Sequence, residues 1–347
     1  MPTDESNAQT PVRVICGRLW CASFCLLLTA YCLLLPVRAQ VSEPRPATDV
    51  QASDESDTVR VEADLVDLNV SVFSRERGHT VGQLQQKDFL VFENGMPEEI
   101  SFFASASTPF DLVLMLDLSG STRDKLDLVR KSARRFVEAA RPVDRISIVT
   151  FTDAPRLVAP LMTDHEELIR RIKKIEKPRG GTNFWDALDS VLKALGNESR
   201  GLRRSAVVCM TDGVDNALPD VPGDGSAIGF ADLMEVVRRS GSIILPIYLD
   251  TEEEMVRQGR GAPQAYFLAR RQLLILADES GGMLYQARKL EDLKGVYEQV
   301  MSDLSTVYQI GYSPKNKQRD GSWRAVSVRL AGRPDLSART RRGYYAK

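Results

Sequence analysis

The pattern of apolar and polar residues divides the chain into a middle part with an α/β pattern and two flanking parts with a β pattern. Residues 66–72 alternate between the two classes, which predicts a strand with one buried face. Residues 112–116 form instead an unbroken apolar run, which is typical of a parallel strand covered on both faces. Residues 125–140 then carry apolar side chains at helical spacing, so a helix follows that strand.

This alternation of strands and helices continues to about residue 305. It predicts an α/β domain with a doubly wound, mostly parallel, Rossmann-like sheet over residues 107–305. The β patterns on either side, residues 58–106 and 306–347, are each too small to be a comfortable domain alone. We therefore expect these two segments to pack together as one small flanking β domain, with the α/β domain inserted between them.

The amino-terminal end has the pattern of a targeting segment. Arg13 and Arg18 precede a mainly apolar run, residues 19–37, and a small-x-small pattern follows at residues 37–39. Residues 1–39 are therefore predicted to be a signal peptide or, because the run approaches membrane-spanning length, an uncleaved signal anchor. Either makes the protein exported: secreted, periplasmic or anchored, and in contact with a membrane only through that segment. Residues 40–57 are predicted to be a linker.

The composition argues against one class of function, the binding of nucleic acids. The chain is 43% apolar and 27% charged with a formal net charge of −1, which is ordinary for a globular protein. Basic blocks with interleaved aromatic residues are absent from the sequence, so no nucleic-acid partner is predicted. Four of the five cysteines lie in or beside the leader, and Cys209 is expected to be a small buried apolar residue.

Three short polar motifs carry the candidate chemistry. Asp117, Ser119 and Ser121 follow directly on the apolar run, where open α/β sheets hold ligands. Thr182 stands in a Gly-Gly-Thr-Asn loop between two predicted helices, and Asp212 ends another apolar strand. If the two strands are parallel, these side chains meet at one edge of the sheet. Their oxygens would be five direct or water-mediated ligands for a hard divalent cation such as Mg²⁺.

Taken together, the order Asp-x-Ser-x-Ser, Gly-Gly-Thr and Thr-Asp-Gly resembles the von Willebrand factor A domain. The resemblance implies a metal-ion-dependent adhesion site formed by Asp117, Ser119, Ser121, Thr182 and Asp212. It also implies Mg²⁺ or Mn²⁺ as cofactor and a protein partner that offers an Asp or Glu carboxylate. Gly181, Asn183 and Asp215 are the residues expected to contact that partner.

The flanks resemble a group of bacterial exported proteins that carry this domain, through Lys87-Asp88-Phe89 before it and Arg342-Gly343-Tyr344 after it. In the family, movement of the Thr loop and of the last helix changes the affinity of the site. The corresponding segments here are residues 180–183 and 290–304.

Two other functions compete with an adhesion module. One is a structural scaffold or assembly protein whose metal site is not essential. The other, less favoured, is a metal-assisted hydrolase at Asp117 and Asp212. His79 and His165 are the only histidines, and the predicted topology brings neither near Asp117, so no Ser-His-Asp arrangement is expected. The sequence therefore predicts a protein that is not an enzyme.

Overall fold

The computed structural model describes residues 65–74, 83–119, 126–176, 180–198, 203–259 and 262–346. The predicted leader, the predicted linker and Ser121 lie outside these ranges, so the predictions for them stay predictions. Among the helices within the described ranges, none combines the length and the hydropathy that crossing a bilayer requires.

Strands and helices alternate through the middle of the chain, and strands flank them on both sides. The strands are β1 (Val66–Ser74), β2 (Phe89–Glu93), β3 (Met96–Glu98), β4 (Ile100–Ala104), β5 (Phe110–Asp117), β6 (Arg145–Phe151), β7 (Pro155–Met162), β8 (Arg204–Thr211), β9 (Ile243–Leu249), β10 (Tyr285–Ala287), β11 (Val307–Tyr312), β12 (Trp323–Leu330), β13 (Leu336–Arg339) and β14 (Gly343–Tyr345). The helices are α1 (Leu126–Ala139), α2 (His165–Ile172), α3 (Phe184–Glu198), α4 (Phe230–Ser240), α5 (Glu252–Arg257), α6 (Pro263–Ser280) and α7 (Leu293–Leu304). Single 3₁₀ turns cover Gln86–Asp88 and Leu290–Asp292.

The central sheet has the strand order β10-β9-β8-β5-β6-β7 and is parallel except for its edge strand β7. Strand β5 lies between β6 and β8, and all eight of its residues are buried. Its alternate side chains enter two different cores: Leu112 and Leu114 pack toward α1 and α7, whereas Val113 and Met115 pack toward α3, α4 and α6. Burial on both faces explains why this strand reads as an unbroken apolar run, and it confirms the predicted doubly wound sheet.

The two ends of the chain pair with each other, as their sizes led us to expect. Strand β1 pairs with β11 and β13 in one antiparallel sheet, and β2 pairs with β12 in a second. Leu68 and Val70 from β1, Val91 from β2 and Ile310 from β11 belong to one apolar core shared by the two sheets. The flanking segments therefore bury each other's apolar faces, which neither could do alone.

Arg204 contacts both connections between the flanking sheets and the central sheet. This side chain is 1% exposed, lies over the Phe110 ring, and donates hydrogen bonds to the carbonyls of Ala106, Thr108 and Val307. The first two carbonyls lie just before β5, and the third begins β11. One buried guanidinium thus fixes both connections at the amino end of the central strands.

The segment between β9 and α6 contains the short helix α5. Residues 252–257 form this helix, and its first turn is acidic. Thr251 is buried at the start of this helix, and Arg270 of α6 pairs with Glu252 at 2.9 Å. These contacts hold the start of α5 against the rest of the protein.

Candidate metal site

Asp117 lies at the carboxyl end of β5, the central strand, where the predicted site begins. Its carboxylate is 1% exposed. One oxygen accepts the backbone N–H of Ser119 at 2.8 Å, and the other accepts the hydroxyl of Thr211 at 2.6 Å. The first bond closes a tight turn, which directs the chain away from the strand end and holds Ser119 next to Asp117.

Asp212 follows β8, the neighbouring parallel strand, so it reaches the same edge of the sheet as Asp117. The two residues are linked through Thr211, which donates to Asp117 and accepts the backbone N–H of Gly213 at 2.8 Å. The carboxylate of Asp212 accepts the N–H of Val214 at 3.2 Å and the hydroxyl of Thr251 at 2.8 Å. Both acids are thus held by hydroxyls and amides of the chain itself.

Thr182 comes from the loop before α3, and backbone contacts fix its position. Asn216 makes two hydrogen bonds with this residue. Its side-chain oxygen accepts the N–H of Thr182 at 3.1 Å, and its backbone N–H donates to the Thr182 carbonyl at 2.9 Å. Asp153 accepts the N–H of Gly181. A Cβ atom at Gly181 would overlap the Asn216 amide, so the close approach of the loop requires glycine there.

Three of the predicted ligands line one open cleft of about 370 Å³: Ser119, Thr182 and Asp212. Tyr266 of α6 and Asp220 complete part of its wall. The fourth, Asp117, lies beneath this cleft, hydrogen-bonded to Ser119. Three separated chain segments, each predicted from its own motif, therefore meet at one edge of the sheet.

The surroundings of Asp117 disturb its ionisation. Burial raises the pKa of Asp117 to about 7, and the negative charge of Asp212 adds to this effect. The hydrogen bonds from Thr211 and Ser119 act in the opposite direction but are outweighed. A cation bound in the cleft would reverse the balance, because positive charge favours the ionised carboxylate.

The residues predicted to contact a partner have different surroundings. Gly181 lines the cleft. Asn183 is 9% exposed, and its N–H donates to the carbonyl of Thr152. Asp215 is fully buried, and its carboxylate accepts hydrogen bonds from Trp185, Ala217 and both the amide and the hydroxyl of Ser226. The structure thus corrects the expectation for Asp215: its carboxylate is directed into the protein, where it anchors the loop after β8 to α3.

Four residues next to the site were not found in the sequence analysis. They are Thr211, Thr251, Asn216 and Asp153, which position Asp117, Asp212, Thr182 and Gly181. Thr211 could have been found, since it directly precedes Asp212. The other three have no local signal, because their role depends on contacts between loops that follow different strands.

The donor set fits a hard cation better than a transition metal. Within the described ranges no cluster of three or more His, Cys, Asp or Glu residues is arranged to hold a metal ion. Two carboxylates and several hydroxyls meet instead, and oxygen ligands of this kind suit Mg²⁺ and Mn²⁺. Burial, with the charge of Asp212 adding to it, raises the pKa of Asp117, so added positive charge in the cleft would favour the ionised carboxylate.

Comparison with known proteins agrees with this geometry. Residues 112–214, from β5 to just beyond Asp212, match the family model described as von Willebrand factor type A domain. The chain contains a von Willebrand factor type A domain. The matched residues of this A domain include Asp117, Ser119, Thr182 and Asp212.

Comparisons of sequence and of structure find distant relatives. A mouse protein, calcium-activated chloride channel regulator 3A-1 from Mus musculus, is 25% identical over 222 residues, which cover 60% of this chain and 21% of that protein. The aligned part thus spans about a fifth of that relative. Among solved structures, a von Willebrand factor type A protein from Catenulispora acidiphila has a TM-score of 0.46 and 13% identity, covering 76% of this chain and 65% of that one. Another, proximal thread matrix protein 1 from the mussel byssus with a zinc-occupied MIDAS motif, has a TM-score of 0.42 and 14% identity, covering 57% and 48%.

Proposed function

We propose that this protein is an exported, divalent-metal-dependent protein-binding module of the adhesion type. Mg²⁺ is the proposed ion, with Mn²⁺ as the alternative. The residues that would hold it, directly or through water, are Asp117, Ser119, Ser121, Thr182 and Asp212. The ion would supply positive charge that attracts an Asp or Glu carboxylate of a partner protein. Export is inferred from the pattern of residues 1–39, and the A domain is proposed to extend over residues 107–305.

The observation that carries this proposal is the meeting of Ser119, Thr182 and Asp212 in one open cleft above the buried Asp117. Hydroxyls are neutral, so two carboxylates alone offset the two charges of the cation. A third negative ligand from outside would then be bound by a charge-assisted contact. The chemistry needed is recognition of a carboxylate, and it requires no general base or nucleophile.

Calorimetric titration of Mg²⁺ and Mn²⁺ tests the site. We expect saturable binding by the unaltered protein and its loss in Asp212→Asn, with the fold intact by circular dichroism. Asp220→Asn is the matched control, because Asp220 lines the same cleft, is exposed, and is not a proposed ligand. Equal binding by Asp212→Asn and the unaltered protein would contradict the proposed ligand set.

A scaffold with a non-essential metal site is the second candidate. It is favoured by one observation: Asp117 and Asp212 already accept hydrogen bonds from Thr211 and Thr251 inside the chain. A displayed peptide library, panned in Mg²⁺ and eluted with EDTA, separates the two functions. Enrichment of Asp- or Glu-containing peptides by the unaltered protein but not by Asp212→Asn supports adhesion. Metal binding without any such enrichment supports the scaffold.

A further inference from the structure

A second cleft lies far from the proposed metal site and has a different chemical character. It has a volume of about 330 Å³ and is lined by cationic side chains from separate parts of the chain. No Asp or Glu is among its lining residues within the described ranges. We call this the basic cleft; its cationic residues are Arg238, Arg239, Lys317, Arg319 and Arg341.

The basic cleft is at the opposite end of the central sheet from Asp117. Arg238 and Arg239 lie in the last turn of α4, and the chain then turns at Gly241 to begin β9. The amino ends of the parallel strands are therefore here, whereas the metal site is at their carboxyl ends. The amide of Asn69 in β1 donates to the Gly241 carbonyl at 3.0 Å, which joins the flanking sheets to this end. One ligand side chain could not occupy both clefts.

Nearby acidic groups neutralise part of this charge but are not among the residues that line the cleft. Glu235 pairs with Arg238 at 2.8 Å and with Arg239 at 3.7 Å, and Glu279 pairs with Arg238 at 3.1 Å. These pairs hold the arginines in place. Lys317 is exposed and donates to the hydroxyl of Ser313, so its charge remains directed to the surface.

Arg341 differs from the other four cations in the hydrogen bonding of its guanidinium. Its Nε atom is buried and has no hydrogen-bond partner among the residues that the structure describes. Its guanidinium lies 5.7 Å from the centre of the Tyr344 ring. Burial lowers the pKa of Arg341, while the charge of Asp67 acts against this. A buried Nε–H without a hydrogen bond is unfavourable, and an anion that enters the cleft and accepts from it would relieve this.

We propose that the basic cleft binds an acidic segment of a protein partner through the carboxylates of that segment. A protein is favoured over a polysaccharide because the walls also present Leu65, Pro314, Tyr344 and Tyr345, against which apolar side chains would pack. Arg and Tyr are the residues most enriched at the centres of protein interfaces. This contact is independent of the metal, so the protein would have two binding surfaces at opposite ends of one domain.

Fluorescence polarisation with a labelled Glu-Glu-Leu-Glu-Glu peptide tests this surface on the full chain. In EDTA, which removes metal from the other site, we expect saturable binding that weakens with added salt and is absent for the Gln-Gln-Leu-Gln-Gln peptide. The triple variant Arg239→Gln, Lys317→Gln and Arg319→Gln should weaken binding about tenfold, from three exposed charge contacts. These three residues are exposed, so the fold should survive.

A matched control removes the same charge elsewhere. The variant Lys131→Gln, Arg134→Gln and Lys294→Gln changes exposed residues of α1 and α7 and should leave peptide binding unaltered. Equal weakening by both triple variants, or none by the cleft variant, would overturn the proposal. So would binding of a heparin hexasaccharide, but not of the peptide, through the cleft residues. Asp212→Asn should keep peptide binding, so failure here and failure at the metal site are separable.

Discussion

Replacing Asp117 by asparagine should stabilise the metal-free protein at neutral pH. Burial and the charge of Asp212 raise the pKa of Asp117 from 3.8 to about 7. The folded state therefore binds the proton more tightly than the unfolded state, so ionisation at high pH costs folding stability. The cost is fully present above pH 7, decreases as the pH falls from 7 to 3.8, and is absent below 3.8.

The magnitude follows from the two pKa values. A pKa raised from 3.8 to about 7 corresponds to about 4 kcal/mol of lost stability above pH 7. Asparagine removes this cost, but its NH₂ group replaces the carboxylate oxygen that accepts the hydroxyl of Thr211. Losing that hydrogen bond costs about 2 kcal/mol. The net gain for Asp117→Asn should thus be about 2 kcal/mol at pH 8, and it should vanish near pH ~5.5.

Urea unfolding followed by tryptophan fluorescence in EDTA measures this difference at both pH values. Asp220→Asn is the control, since Asp220 is exposed and asparagine tolerates its left-handed backbone, where φ is 62°. Saturating Mg²⁺ should reverse the order, because only the unaltered protein gains binding energy, about 2.7 kcal/mol at 100 times Kd. If Asp117→Asn were less stable than the unaltered protein in EDTA at pH 8, the electrostatic reasoning would be wrong.

Three further predictions concern the residues around the site and the connections. Thr251→Val should weaken Mg²⁺ binding about tenfold by removing the 2.8 Å hydrogen bond to Asp212, while Thr251→Ser should bind nearly normally in calorimetry. Gly181→Ala should displace Asn216 and cost about 1–3 kcal/mol in urea unfolding, together with a loss of Mg²⁺ affinity; unchanged affinity would show that the loop adapts. Arg204→Met should cost about 3 kcal/mol, because the carbonyl of Val307 loses a buried donor and those of Ala106 and Thr108 keep only Arg141; a change below about 0.5 kcal/mol would contradict its proposed role at both connections.

Local patterns in the sequence predicted the strands and helices of the central domain and the doubly wound sheet. The apolar run of β5 and the helical stripe of α1 are periodic features that depend only on which faces are buried. Asp117 and Asp212 could be predicted because each lies at the carboxyl end of a buried strand, and parallel neighbours end at the same edge.

The remaining features depend on contacts between residues far apart in the chain, which no local period encodes. The register of β1 on β11 joins Val66 to Tyr312, and it is decided by the apolar core that the two ends share. The hydrogen bonds between Thr182 and Asn216 form only because loops that follow different strands meet at one edge of the sheet. The basic cleft likewise combines the end of α4 with segments from both ends of the chain. The sequence by itself determined which side chains could bind a cation, and the tertiary structure decided which of their neighbours hold them there.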